Sequence, residues 1–231
     1  MKKNSIKISA PFPLESGQTL SGLEIAYHTW GEINAERSNV VWICHALTAN
    51  SDPLEWWPGI VGEGCVFNPE EHFIVCANII GSCYGTTGPL STNPHSNKPY
   101  FRDFPPVTFR DVINAHELLR KELGIEKIRM VTGASIGGHQ ALEWLIIHPE
   151  LFENAVIIGT NAKMSPWATA FNESQRMAIT ADQSFFEDRP DGGLNGMRAA
   201  RSMALLSYRN YTSYCHRQKE KKKKKTDGFK A

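Results

Sequence analysis

Hydrophobic and polar residues alternate or cluster along the first part of the chain in patterns typical of strands. Residues 5–11 and 23–30 alternate apolar and polar side chains, which indicates an antiparallel edge of a sheet. Residues 40–44 and 73–77 are continuously apolar, as expected of strands that are covered on both faces. The pattern therefore predicts a sheet with buried central strands and an antiparallel edge.

Helical spacing follows the second buried run. Thr108-Phe109-Arg110-Asp111 has the form of a capping box, and apolar residues recur at helical spacing until Gly124. A strand is predicted at 128–131, a helix at 139–145 and one further buried strand at 155–159. This order favours an α/β fold with a mostly parallel sheet, helices on both faces and right-handed crossovers.

The pattern changes at Lys163, where helices are predicted over 165–181 and 194–209 and no further strand is visible. We therefore predict an α/β core over 1–162, a helical lid segment over 163–216 and a basic, flexible tail over 217–231. The tail holds eight of the 25 Lys and Arg residues and two of the 24 Asp and Glu residues, so the rest of the chain carries a net charge of −5. An acidic body gives no electrostatic reason to expect a nucleic-acid partner.

Composition fits one globular unit, since 41% of the 231 residues are hydrophobic and 21% are charged. The five cysteines show no CxxC or metal-ligand spacing. Cys44 and Cys76 lie in apolar runs and indicate a reducing compartment, whereas Cys83 lies in a Gly-rich loop and is either reactive or inert. No apolar segment follows Lys2 and Lys3, and no run approaches membrane-spanning length, so we expect a soluble, cytoplasmic protein without a membrane partner.

The candidate chemistry centres on Gly133-Ala134-Ser135-Ile136-Gly137, which joins a predicted strand to a predicted helix. A serine at such a sharp turn needs small neighbours, and the amide of Ile136 would point from a helix N-terminus at a developing oxyanion. The motif alone also arises by chance in ordinary Gly-rich turns. The strand before it and the helix after it favour the nucleophile elbow of an α/β-hydrolase.

Two loops at the ends of buried strands are the expected companions of this serine. The loop from His45 to Asn50 takes the position that supplies the second oxyanion amide in this fold, and we assign that amide to Leu47. The Gly-rich loop over 78–89 lacks the spacing and lysine of a phosphate-binding loop. It is therefore predicted to line the serine pocket.

A catalytic serine also needs a histidine and a carboxylate, which in this fold follow it in the chain. None of the downstream candidates falls after a predicted strand where the fold would place it. We therefore expect the acid and the base to lie beyond the chain. The downstream candidates are His139, His148, His216, Asp182, Asp188, Asp191 and Asp227.

From about residue 8 to about residue 211 the chain resembles the homoserine O-acetyltransferase family of the α/β-hydrolase fold. The resemblance rests on His45-Ala46-Leu47-Thr48-Ala49, residues 78–89, Thr108-Phe109-Arg110-Asp111, Gln140-Ala141-Leu142-Glu143-Trp144 after the elbow, Ala200-Arg201 and Ser207-Tyr208-Arg209. Ala134 and Ile136 replace residues common in the family, which is a conservative change. Family members run on well past the matched segment, so the resemblance implies an N-terminal portion or truncated copy.

The resemblance implies transfer of an acetyl group from acetyl-CoA to the hydroxyl of L-homoserine through an acyl-serine. Ser135 matches the nucleophile, and Leu47 and Ile136 match the oxyanion amides. Arg201 matches the arginine that holds the homoserine carboxylate, with Tyr208 beside it; Arg209 is the alternative.

Acetyl-CoA would be a co-substrate, with no bound cofactor or metal, and the lid helices are a possible homodimer surface. An esterase or thioesterase and a non-catalytic hydrolase-fold protein remain the alternatives. Acetyl and succinyl donors, and homoserine and serine acceptors, also stay open.

Overall fold

The computed structural model describes residues 2–219, with side chains from 4 to 216. The chain divides into two compact units between Ala162 and Lys163. The predicted basic tail over 217–231 lies outside the described side chains, and from residue 220 onward it lies outside the described backbone as well. Within residues 2–219 no helix is both long enough and apolar enough to cross a lipid bilayer.

Over residues 2–162 the first unit contains ten strands and three α-helices. In sequence they are β1 (Lys2–Ile8), β2 (Phe12–Pro13), β3 (Thr19–Leu20), β4 (Leu23–Trp30), β5 (Val40–Cys44), α1 (Pro53–Trp56), β6 (Phe73–Ala77), β7 (Thr92–Asn93), β8 (Lys98–Pro99), α2 (Phe109–Glu122), β9 (Ile128–Ala134), α3 (Ile136–Ile147) and β10 (Phe152–Ile158). Short 3-10 helices lie at Phe101–Asp103 and Pro149–Leu151.

Six of these strands form one sheet in the order β1-β4-β6-β5-β9-β10. Strands β6, β5, β9 and β10 are parallel, whereas β1 and β4 run antiparallel to their neighbours. The predicted α/β sheet with an antiparallel edge is therefore confirmed. In the register of β5 and β9, Cys44 lies opposite Gly133, so the loop after β5 and the turn after β9 begin side by side.

Helices α2 and α3 cover one face of the sheet. Trp42 of β5 packs edge-on against Trp144 of α3, with ring centroids 4.9 Å apart, and both are fully buried. The predicted capping box is present, since the Thr108 side chain accepts from the Asp111 amide and Asp111 accepts from the Thr108 amide. On the other face Ile43, Ile74 and Trp30 pack beneath the segment that follows α1.

Strand β10 is not the buried strand expected from its apolar residues. It begins at Phe152, earlier than predicted, and residues 153–156 are exposed. Among the described residues it pairs only with β9, so one of its edges has no neighbour and Val156 and Ile158 remain 42% and 47% exposed. The short hairpins β2–β3 and β7–β8 were also not predicted.

The second unit consists of α4 (Pro166–Thr180), a 3-10 helix (Gln183–Phe186), α5 (Leu194–Ser207) and α6 (Tyr211–Lys219). Helices α4 and α5 approach closely because Gly196 faces the backbone of α4: a Cβ atom there would lie 2.6 Å from the carbonyl oxygen of Ala178. Ala200 and Ala204 continue this buried stripe of small residues one and two turns further on. Helix α6 was not predicted.

Candidate active site

Ser135 occupies the sharp turn between β9 and α3 in a backbone conformation that non-glycine residues rarely adopt. Its φ is +56° and its ψ is −121°, and the residue is exposed. A non-glycine residue held in a sparsely populated region costs about 1–3 kcal/mol, and such strain clusters at functional sites. The turn thus has the strained geometry that the G-x-S-x-G motif predicts.

The glycines around Ser135 lie in close contact with the backbone and with the side chain of Thr160. A Cβ atom on Gly133 would lie 2.2 Å from the carbonyl oxygen of Gly137. A Cβ atom on Gly138 would lie 2.0 Å from Thr160 Oγ1. Real Cβ atoms essentially never approach other atoms this closely, so the backbone excludes a side chain at 133, and a side chain at 138 would displace Thr160.

Hydrogen bonds fix the turn to the end of β10. The Ser135 amide donates to the carbonyl of Ile158 at 3.0 Å, and Thr160 Oγ1 donates to the carbonyl of Ser135 at 2.8 Å. The amide of Ile136, the first residue of α3, has no acceptor within its own helix and lies at the positive end of the helix dipole. It is therefore suited to bind an oxyanion beside Ser135.

The loop that carries Leu47 is fixed at its start by the buried ring of His45. Nδ1 of His45 lies 2.8 Å from the carbonyl oxygen of Ala46, and Nε2 lies 3.2 Å from the amide nitrogen of Ile79. Nδ1 must therefore carry the proton, and Nε2 accepts from the Ile79 amide. Burial lowers the pKa of His45, although the bond to Ala46 opposes the shift, so the ring is neutral near pH 7.

The far end of the same loop is fixed by a second buried polar group. Oδ1 of Asn78 accepts from the Ser51 amide, and Nδ2 of Asn78 donates to Ser51 Oγ, both at 2.8 Å. Ser51 Oγ also lies 2.8 Å from Nδ1 of His28, and Asn78 Nδ2 reaches the carbonyl of Tyr84 in the Gly-rich loop. Between these fixed ends the side chain of Leu47 is 63% exposed.

Most candidate acids and bases downstream of Ser135 have other partners in the structure. Nε2 of His139 lies 3.1 Å from the carbonyl oxygen of Asn161, and His148 follows α3 and pairs with Glu150. Asp182 accepts from the amides of Ser184 and Gly196, so it caps the 3-10 helix and α5. His216 lies in α6, Asp191 pairs with Arg189, and Asp227 is outside the described residues.

The other predicted site residues lie in the second unit. Arg201 is exposed on α5, and Tyr208 caps the C-terminus of that helix with 69% of its surface exposed. Their spacing places them on one face of the helix together with Leu205. The structure thus places Ser135, Leu47 and Ile136 in the first unit, and Arg201 and Tyr208 in the second.

Sequence reasoning missed three polar residues that hold the site together, Thr160, Asn78 and Gln140. Gln140 and Asn78 are fully buried, and each makes hydrogen bonds to the loop after β5. The glutamine within the apolar stretch of α3 was the available signal. Its partner is the backbone carbonyl of His45, and any residue type could provide such a carbonyl. Among the described residues, no cluster of three or more His, Cys, Asp or Glu side chains is arranged to hold a metal ion.

A strained serine between a parallel strand and a helix, next to the loop of the adjacent strand, defines an α/β-hydrolase, and residues 39–220 match the alpha/beta hydrolase fold family. The chain belongs to that family. Its similar relatives include the homoserine O-acetyltransferase of Cyclobacterium marinum, 46% identical over 214 residues that make up 93% of this chain and 61% of the relative. The homoserine O-acetyltransferase of Chlorobaculum parvum is 48% identical over 91% of this chain and 60% of its own.

Solved structures show the same relationship. The homoserine O-acetyltransferase of Bacillus anthracis superposes with a TM-score of 0.85 at 27% identity, over 98% of this chain and 64% of that one. The L374D mutant of esterase E22 also gives a TM-score of 0.85, at 25% identity over 94% of this chain and 64% of that one. The chain spans about 60% of the length of the curated relatives it matches.

Proposed function

We propose that this chain serves an acyltransferase that moves an acetyl group from acetyl-CoA to the hydroxyl of L-homoserine, a step of methionine biosynthesis. The observation that carries the proposal is the strained, exposed Ser135 at the N-terminus of α3. The similarity of the chain to homoserine O-acetyltransferases, at 46% and 48% identity, favours this reaction among the many that the fold supports.

Ser135 Oγ attacks the thioester carbonyl carbon, forming an oxygen–carbon bond and a tetrahedral oxyanion. The amides of Leu47 and Ile136 donate to that oxyanion. The carbon–sulfur bond then breaks, CoA leaves as the thiol with the proton that Ser135 gave up, and the acetyl group remains on Ser135. The homoserine hydroxyl attacks the acetyl-serine in the same way, and Ser135 recovers its proton as O-acetylhomoserine leaves.

Arg201 is the residue that we assign to the homoserine carboxylate, with Tyr208 beside it. A guanidinium presents two parallel N–H donors to a carboxylate, and Arg201 is exposed on its helix and available for such a contact. Arg209 is the alternative because it lies in the same segment.

Acetyl-CoA acts as a co-substrate in this reaction, and the chemistry requires no bound cofactor. We place the enzyme in the cytoplasm, because the five cysteines are unpaired and thiols persist in a reducing compartment. Exposed apolar residues of the lid helices, among them Trp167 and Met177, are the surface that we assign to a homodimer.

The test measures acetylation of Ser135 and the fate of the acetyl group. The chain is assayed alone and joined to the remaining part of the Cyclobacterium marinum relative, with Ser135→Ala as the control. We expect acetyl-CoA to add the mass of one acetyl group to the Ser135 peptide of the joined protein, and homoserine to remove it as O-acetylhomoserine. A folded joined protein that transfers acetyl groups equally well with alanine at 135 would refute the proposal, and transfer to water alone would favour an esterase.

A further inference from the structure

A single buried side chain bridges the two segments that carry the assigned oxyanion amides. Nε2 of Gln140 lies 3.1 Å from the carbonyl oxygen of His45 and 3.5 Å from the carbonyl oxygen of Ile136. His45 lies two residues before Leu47, and Ile136 is itself the second assigned donor. The two hydrogens of the Gln140 amide therefore connect the loop after β5 to the first turn of α3.

The hydrogen bonds of the Gln140 amide are devoted to this bridge. Gln140 has no exposed surface, and within the described chain its Oε1 atom is buried without a partner. Leaving a polar atom unpaired in the interior is unfavourable. The unpaired Oε1 atom therefore lowers stability, whereas the contacts of Nε2 give the side chain a role in joining the two segments.

The same two segments are also in direct backbone contact. A Cβ atom on Gly137 would lie 2.1 Å from the carbonyl oxygen of Cys44 and 3.0 Å from that of His45. The imidazole of His45 adds a bond from the Ile79 amide. The base of the loop is thus held by α3 and by Ile79, and we expect the position of its exposed tip at Leu47 to depend on the position of that base.

We propose that Gln140 is the positioning residue of the oxyanion hole and that it sets the distance between the Leu47 and Ile136 amides. This inference rests on the proposed function, since it requires Ser135 chemistry with those two donors. Donors must lie within hydrogen-bond distance of the developing oxyanion, and a displacement of about 1 Å can cost a factor of about 100 in rate. Without the Gln140 amide, the backbone amides of Leu47 and Ile136 would still be able to donate hydrogen bonds, but the distance between them would change.

The decisive variant is Gln140→Met, which keeps the length and volume of the side chain and removes its donors. The matched control is Gln175→Met in α4, because Nε2 of Gln175 also donates to the carbonyl four residues earlier, that of Phe171, at 3.1 Å. Both variants of the 231-residue chain are compared with the parent chain for thermal unfolding and for hydrogen exchange over residues 45–50. Cleavage of p-nitrophenyl acetate is measured with the same substitutions in the joined protein, with Ser135→Ala as the background.

We expect Gln140→Met to unfold near the temperature of the parent chain, to speed exchange over residues 45–50 and to lower kcat for ester cleavage by about 10- to 100-fold with little change in KM. Gln175→Met should change neither exchange nor cleavage. A joined parent protein no more active than its Ser135→Ala variant would count against the proposed function itself. Ser135-dependent cleavage that Gln140→Met retains in full, or unchanged exchange over 45–50, would overturn the role of Gln140.

Discussion

Gly137 and Cys44 are in backbone contact: a Cβ atom on Gly137 would stand 2.1 Å from the carbonyl oxygen of Cys44. The first turn of α3 is therefore seated directly on the end of β5. Any side chain at 137 would push the serine turn away from the loop that follows β5. This contact is a steric requirement of the site, and it leads to a first prediction.

Gly137→Ala should lower the free energy of unfolding by about 1–3 kcal/mol, as overpacking does, and should abolish Ser135-dependent ester cleavage. Gly17→Ala is the control, because no atom lies within 4 Å of its Cβ position and its φ of +79° imposes only the conformational cost of an alanine there. Urea unfolding of the 231-residue chain measures the first effect, and p-nitrophenyl acetate cleavage by the joined protein measures the second. Wild-type cleavage by Gly137→Ala would show that the contact does not position the serine.

Ser135 provides a second prediction through its positive φ. Ser135→Gly should be more stable than Ser135→Ala by about 1 kcal/mol, because glycine adopts φ of +56° without strain. Ser174, exposed in α4, is the matched control, and there glycine should be less stable than alanine by about 1 kcal/mol. Denaturant unfolding of the four variants tests whether glycine is more stable than alanine at 135 and less stable than alanine at 174. If alanine is more stable than glycine at both positions, the turn at Ser135 is unstrained.

Glu117 is the acceptor of a buried ion pair. Its Oε1 accepts from Trp144 Nε1 at 2.7 Å and its Oε2 accepts from Arg120 at 2.7 Å, and these bonds outweigh the effect of burial and lower the pKa of Glu117. We expect Glu117→Gln to reduce stability by about 1–3 kcal/mol, since it leaves Arg120 without its anion.

The exposed pair formed by Glu173 and Arg176 has the same spacing along a helix and serves as the control for that variant. Glu173→Gln should cost no more than about 0.5 kcal/mol, because solvent screens an exposed pair. Thermal unfolding at neutral pH measures both variants. Equal losses of stability in Glu117→Gln and Glu173→Gln would show that burial does not strengthen the ion pair of Glu117 with Arg120.

The buried ring of His116 should make the free energy of unfolding depend on pH. Its ring is fully buried against Trp42 and Trp144, and burial lowers its pKa to about 3, with His45 acting in the same direction and Glu117 opposing. Above the ordinary value of 6.5 the ring is neutral in both folded and unfolded chains, so its contribution is complete there. As the pH falls from 6.5 towards 3, only the unfolded chain gains this proton, and stability drops by about 1.4 kcal/mol per pH unit.

Phenylalanine has no such proton, so His116→Phe should flatten this part of the acid limb while it preserves the ring packing. Urea unfolding between pH 7 and pH 4 gives the two slopes. An unchanged slope in the variant would assign the acid sensitivity to other groups.

Arg201 is tested through the acceptor half of the reaction in the joined protein. Arg201→Ala should lower kcat/KM for homoserine by about 100-fold, the scale of a lost bidentate contact with a carboxylate, and should leave acetylation of Ser135 intact. Arg198→Ala is the control on the same helix, where Arg198 contacts Asn195. If Arg209→Ala produces the acceptor defect and Arg201→Ala does not, the assignment belongs to Arg209.

The sequence predicted β5 and β6 to the residue, because each is a continuous apolar run and a doubly covered strand needs nothing else. It misjudged the start and the burial of β10. The polar residues Glu153 and Asn154 interrupt the apolar pattern in the first half of the strand, and the apolar residues of the second half were interpreted as buried. Burial depends on what lies next to a strand, and that is not a local property. Among the described residues the free edge of β10 leaves Val156 and Ile158 partly exposed.

The candidate site shows the same division. The strained serine could be predicted because its requirements, glycines at fixed offsets between a strand and a helix, are local. The bridge made by Gln140 could not, because its acceptor is the carbonyl of a residue 95 positions earlier. The Asn78 side chain likewise joins two loops that approach each other only in the folded chain.

Asp182 has a consequence for the order in which the chain folds. Its carboxylate caps the connection between α4 and α5 with partners no more than 14 residues away, so these contacts of the second unit are local along the chain. The first unit depends on distant ones, such as the bond from the Glu15 amide to Asp111 across 96 positions. Because closing long loops is slow, the helices of the second unit should be complete while the sheet that presents Ser135 is still assembling.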